Sequence, residues 1–172
     1  AWAAVKSAAR PLRLKPGDTV GLIAPASSDD NPLHLEAAQN TVRGMGLVPK
    51  LGRHVSDRFG YLSGTDRDRA ADIGEMFADP EVRAIFVIRG GWGSARLLPH
   101  LDFDTIRRNP KVILGYSDIT ALLNGIQART GLVTFHGPNG GGRWDAWSLE
   151  WTRRVLFGGE AVTFTNQRTT ND

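Results

Sequence analysis

Lys111-Val112-Ile113-Leu114-Gly115-Tyr116-Ser117-Asp118-Ile119-Thr120 is the stretch from which the rest of the chain can be read. Lys111 to Leu114 reads as a buried strand. Gly115 and Tyr116 make a sharp exit, and Ser117 falls at the bend. A helical pattern begins at Asp118: Ile119, Leu122, Leu123 and Ile126 recur at i, i+3, i+4 and i+7, one face of a helix.

Moving outward from this unit, strands and helices alternate. Upstream, Phe103 to Arg108 is a short helical piece closed by Asn109-Pro110, and Leu97, Leu98 and Leu101 suggest another. Ala84 to Ile88 is a strand that runs into Arg89-Gly90-Gly91-Trp92-Gly93-Ser94. Before it, Thr65 caps a helix with Asp68 three residues on, an approximate capping box. Ala70, Ile73 and Phe77 of that helix face the core, and Asp79-Pro80 ends it. Leu47 to Leu51 is a short strand, followed by a long loop from Gly52 to Gly64. Asn31 and Pro32 start a helix whose core face is Leu35, Ala38, Val42 and Met45, with Gly46 placed to stop it. Thr19 to Ala24 is the first strand, apolar on both faces, ended by Pro25. Residues 1–13 have no period and read as an arm. Downstream, Leu132 to Phe135 is a further strand and His136 to Gly142 a loop. From Trp144 the pattern is helical, with Trp147, Trp151 and Val155 on one side. Gly158-Gly159 breaks it, and Ala161 to Thr165 reads as an edge strand. The fold class that follows is α/β: a mainly parallel sheet with helices on both faces, organised around the strand–turn–helix at Gly115 to Ser117.

Composition narrows the function classes. The chain has 172 residues, 41% hydrophobic and 23% charged, enough for one cored domain. Lys plus Arg number 21 against 18 Asp plus Glu, but the arginines are scattered and no basic run exceeds two, so the balance does not argue for nucleic acid. The absence of cysteine excludes disulfides, thiol catalysis and Cys-ligated metal. No apolar run approaches the roughly 20 residues of a membrane helix. The Ala1 start is compatible with signal-peptide removal or with an artificial start.

In an open α/β sheet, ligands collect at the carboxyl ends of the strands. Loops beginning at Pro25, Arg89, Tyr116 and His136 should meet there. Ser117 has two readings: a helix N-cap, or a nucleophile lifted out of the backbone at a strand-to-helix turn. In the second, the backbone N–H of Asp118 would face an oxyanion, while its carboxylate suits the helix dipole in either case. Arg89-Gly90-Gly91-Trp92-Gly93 lacks the Walker spacing and G-x-G-x-x-G. It reads as a turn that offers a glycine amide to developing negative charge, or as a structural turn. Trp92 is a substrate wall or a core residue. His136 is structural or catalytic. His34, His54 and His100 show no metal-ligand spacing, so no metal site is expected. The residues thus supply half of a serine-hydrolase site and no convincing base.

Five ordered segments carry a family resemblance: Val20 to Ser27, Gly60 to Asp66, Ile88 to Gly93, Gly115 to Asp118 and Phe135 to Pro138. Together they resemble the murein LD-carboxypeptidases, serine peptidases that include the microcin C self-immunity proteins. The resemblance covers about residues 14–165. It implies an N-terminal α/β domain with Ser117 as nucleophile and the amides of Asp118 and Gly91 as oxyanion donors. Arg89, Gly90, Trp92, Tyr116 and His136 would line the substrate site, with Arg89 a possible partner for a terminal carboxylate. The substrate implied is a murein tetrapeptide that loses its terminal D-alanine, or a related peptide amide. The alternatives are an immunity-type amidase and a non-catalytic murein-peptide-binding domain. The triad Glu and His would come from a C-terminal domain beyond a linker beginning at residues 166–172, so the 172-residue chain is expected to be inactive alone. A homodimer without organic cofactor is implied, cytoplasmic or, after signal-peptide removal, periplasmic.

Overall fold

The computed structural model describes residues 8–29 and 31–163; the readings made for Ala1 to Ala4 and for residues 166–172 lie outside it. Five strands form one sheet in the order β2-β1-β3-β4-β5, every neighbouring pair parallel. They are β1 (Thr19–Ile23), β2 (Val48–Leu51), β3 (Val82–Val87), β4 (Val112–Gly115) and β5 (Phe135–His136). β3 lies at the centre. Ile85 and Val87 pack into one core, and Ala84, Phe86 and Ile88 into the other, because side chains alternate along a strand.

The helices explain why both faces of the sheet are apolar. α2 (Asp66–Ala78), α3 (Phe103–Arg108) and α4 (Ile119–Thr130) are connected by one core, where Ile73, Phe77, Ile106, Leu122 and Ile126 meet Ile23, Ile85 and Ile113. α1 (Pro32–Gly44) brings Ala38 and Val42 to the other core, with Leu14 and Leu156. Full burial of each such side chain is worth about 1.5–3 kcal/mol. The Asn31 cap, Pro32 in the first turn and the Thr65–Asp68 capping box all form as the residues indicate. Each cap contributes about 1 kcal/mol.

Several boundaries differ from the sequence reading, each for a physical reason. The last strand is Phe135–His136 rather than Leu132 to Phe135. Leu132 instead makes a lone parallel bridge to Ala9, with Ala9 N–H donating to the Gly131 carbonyl and Val133 N–H to that of Ala9. The described part of the segment read as an arm is therefore stitched to the sheet side through Ala9, and Leu14 just after it is buried. The leucines at 97 and 98 belong to a tight 3₁₀ segment, Ser94–His100, which Pro99 keeps from becoming an α-helix, and Leu101 follows it in extended backbone. The helix expected from Trp144 begins at Ala146 (α5, Ala146–Thr152), capped by Asp145, and continues as a wider π-helical turn over Arg153–Gly158. Trp144 stays outside it: its ring stacks on Phe86 at 6.4 Å and its Nε1–H donates to the Asn139 carbonyl. No strand forms over residues 161–163, and the rest of that expected edge strand lies outside the described residues.

Candidate active site

All strands being parallel, their carboxyl ends share one edge, and the loops after β1, β3, β4 and β5 meet there as expected. The β5 loop returns across the sheet. Gly137 N–H donates to the Gly115 carbonyl, Gly140 N–H to that of Val87, and Gly141 N–H to that of Ile88. The β1 loop binds the β3 loop through Ser27, and the β3 loop abuts the β4 turn at Ser117.

Ser117 is the only non-glycine at positive φ among the described residues, at 66°. A left-handed serine is strained, and such strain gathers where a side chain must be aimed. The N-cap reading fails, because the cap position is Asp118, and Ser117 stands one residue outside it, exposed. Its hydroxyl has no hydrogen-bond partner among the described residues. Asp118 is fixed twice by the buried Ser94. The Ser94 N–H donates to the Asp118 carboxylate at 2.8 Å, and the Ser94 hydroxyl to its carbonyl at 2.6 Å. The Asp118 N–H itself has no acceptor among the described residues and lies at the start of α4, where helix amides attract negative charge.

Gly90 and Gly91 show why this loop is glycine. A Cβ on Gly90 would fall 3.2 Å from the Ser117 Cβ, and one on Gly91, at φ 121°, 2.7 Å from the Ser27 Cβ. Side chains here would push the β3 loop off its neighbours. The Gly91 N–H, like that of Asp118, has no acceptor among the described residues. Trp92 is 63% exposed, which excludes the core reading. Arg89 is likewise no buried structural arginine. It is 44% exposed, its guanidinium donating to the Ser28 carbonyl at 3.1 Å and standing 3.5 Å from Asp29. Asp29 is in turn held by His34 Nδ1 at 3.0 Å. A cleft of about 300 Å³ joins Asp29, His34, Arg89, Gly91 and Ser117. A second, of about 270 Å³, lies across Tyr116 and is bordered by His136, Pro138 and Arg143. Tyr116 and His136 meet edge to face at 6.3 Å, and no hydrogen bond joins His136 to Ser117.

Sequence reasoning did not single out the residues that hold this site. Asn139 is buried, and its side-chain oxygen accepts the Tyr116 N–H at 3.1 Å, tying the turn to the β5 loop. The turn-forming Pro138-Asn139-Gly140 was its only local signal. Arg69 is almost wholly buried. It donates to the Pro25 carbonyl at 2.6 Å and the Gly93 carbonyl at 3.3 Å, joining the β1 and β3 loops, and pairs with Asp66. Burial pulls its guanidinium below the ordinary arginine value while Asp66 pulls the other way. The signal was an arginine four residues before Ile73, on the core face. Away from this edge, His54, Asp57 and Asp68 bring ligand-type atoms within 4.8 Å of one another. Their own bonds account for the grouping: His54 to Asp57 at 2.7 Å, and Asp68 to the Thr65 cap.

A strained, exposed serine thus stands at a strand–helix turn of a parallel α/β sheet, with two amides nearby that are unpartnered among the described residues. The family follows from comparison. Residues 20–137 match the model of the LD-carboxypeptidase N-terminal domain. A Bacillus subtilis protein named "Probable murein peptide carboxypeptidase" is 49% identical over 129 residues, 75% of this chain and 40% of that protein. The microcin C7 self-immunity protein MccF of Escherichia coli is 41% identical over 128 residues, 71% of this chain and 36% of that protein. The crystal structure of an MccF-like protein from Bacillus anthracis superposes with a TM-score of 0.83 at 34% identity, over 87% of this chain and 47% of that one. The chain belongs to the LD-carboxypeptidase family and spans less than half the length of each of these relatives.

Proposed function

We propose that this domain carries the nucleophile of a serine-type LD-carboxypeptidase that releases the terminal D-alanine of murein tetrapeptides. The observation that carries the reading is Ser117, exposed at φ 66° beside the unpartnered amides of Asp118 and Gly91. Its Oγ attacks the scissile carbonyl carbon, and its proton passes to a histidine base. The carbonyl oxygen becomes an oxyanion received by the Asp118 and Gly91 N–H groups, each donor worth about 3 kcal/mol in comparable sites. The C–N bond breaks, D-alanine leaves with the proton, and water hydrolyses the acyl-enzyme. Arg89 anchors the substrate's terminal carboxylate. Gly90, Trp92, Tyr116 and His136 form the walls.

Among the described residues no histidine hydrogen-bonds Ser117. That supports assigning the base to the Glu–His pair of a second domain, as the family resemblance implies. The higher identity to the murein peptide carboxypeptidase, 49% against 41% for the immunity protein, favours the murein substrate over an aminoacyl-nucleotide.

The test is Ser117→Ala in the full-length protein, assayed for D-alanine release and, separately, for tetrapeptide binding by calorimetry. Release should fall at least about 10⁴-fold with binding retained. Release within tenfold of the unmodified protein would dismiss the nucleophile.

A further inference from the structure

Ser27 has no part in the chemistry above, yet the residue is 1% exposed and its hydroxyl is committed to one atom. It donates to the Gly90 carbonyl at 2.7 Å, and the Ser27 N–H reaches the same oxygen at 3.4 Å. The Gly90–Gly91 peptide is therefore gripped from one side. It is trans, since the described residues contain no cis bond, and a planar trans peptide points its C=O and N–H in opposite directions. With the carbonyl drawn to Ser27, the Gly91 N–H is turned away from Ser27. Gly90 itself is packed against the other neighbour, Ser117.

A peptide between two glycines has little intrinsic bias. Glycine occupies positive and negative φ with similar ease, so rotation at Gly90 ψ and Gly91 φ can reverse the unit without a side-chain clash. In the reversed state a carbonyl oxygen, not an N–H, would face the serine, and an oxyanion there would be repelled.

We infer that Ser27 is a positioning residue that locks the Gly90–Gly91 peptide in the one orientation able to receive an oxyanion. The inference rests on the assignment of the Gly91 amide proposed above. The lock preorganises the donor before substrate arrives, so its loss is felt in the transition state rather than in ground-state binding.

The experiment has two arms on Ser27→Ala. In the 172-residue chain, ¹⁵N relaxation dispersion at Gly91 reads the peptide orientation without any catalysis. The unmodified chain should show a flat profile. The variant should show microsecond-to-millisecond exchange at Gly91, with α4 and the β-strands unaffected. In the full-length protein, kcat for D-alanine release should fall about 10- to 100-fold with KM changed less than about threefold. A flat Gly91 profile in the variant overturns the lock, whatever the rate does. Exchange at Gly91 with kcat unchanged upholds the lock and removes Gly91 from the oxyanion site. A fall in release for Ser117→Ala checks the nucleophile independently of both. Ser27→Cys, near in size and a weak donor, gives the same readings where Ser27→Ala does not fold.

Discussion

Ser117 pays in stability for the direction of its side chain. An L-residue in the left-handed region is disfavoured by about 1–2 kcal/mol, and glycine is exempt. Ser117→Gly should therefore raise the unfolding free energy of the chain by about 0.5–1 kcal/mol, less than the full relief because glycine also loosens the unfolded chain. Chemical denaturation measures it; a destabilised variant would mean that the turn is not strained. Arg89 is the residue on which end-group selectivity should depend. It is half-exposed in the Ser117 cleft and tied to Asp29 and the Ser28 carbonyl, with guanidinium edge to spare. Arg89→Gln in the full-length protein should raise KM for a D-alanine-terminated peptide by about tenfold or more, the size of a lost charge-assisted hydrogen bond. The corresponding carboxamide should be little affected, and equal loss for both peptides would argue against a carboxylate contact.

At the scale of elements, the site is a junction of loops cross-braced by buried polar side chains. Asn139 binds the β5 loop to the exit of β4, and Arg69 binds the β1 loop to the β3 loop. Asn139→Ala would leave the Tyr116 N–H without its acceptor in a partly buried place. A loss of about 1–2 kcal/mol is expected by denaturant titration. Asn139→Asp, which keeps an oxygen at that position, should lose less. If the alanine variant matched the native chain, the bond would not be what holds the turn. The same bracing explains the capless start of α4. The Asp118 carboxylate is occupied by Ser94 from the 3₁₀ segment, so it serves the tertiary junction rather than its own helix.

The molecule as a whole also carries a titrating group at the other edge of the sheet, where β4 begins. Lys111, read from sequence as part of a strand, is buried. Its ammonium donates to the Met76 carbonyl at 2.8 Å and to the Asp79 carbonyl, closing the C-terminal end of α2. Burial pushes it down to about 8 from 10.5, against the pull of Asp79. The folded chain thus releases this proton before the unfolded chain does. Between pH 8 and 10.5 the unfolded state binds more protons, so stability rises with pH across that window and is flat below it. The rise is on the order of 1–3 kcal/mol. Comparison with Lys111→Met, which should lack the rise while being less stable at pH 7 through its unsatisfied carbonyls, isolates the contribution. Parallel curves for the two chains would show that Lys111 keeps its ordinary value.

Much of this architecture was legible before any coordinates. Apolar runs such as Thr19 to Ala24 and Ala84 to Ile88, alternating with the helical periods of α1, α2 and α4, determine a parallel α/β sheet, because only burial on both faces makes such runs stable. The caps at Asn31 and Thr65 are local chemistry and so are readable locally. The ends of the chain's elements were less so: Leu132 and Trp144 carry strand and helix signals that distant partners, Ala9 and Phe86, redirect. Sequence alone placed Ser117 at a turn but left its role open between cap and nucleophile. Tertiary structure removed the cap reading, through the one-residue offset that puts Asp118 at the cap position and leaves Ser117 at positive φ. It also revealed Ser27, Asn139 and Arg69 as the braces of the site. Their hydrogen bonds span 63, 23 and up to 44 residues of chain, and no local pattern encodes a bond closed only when the sheet brings its loops together.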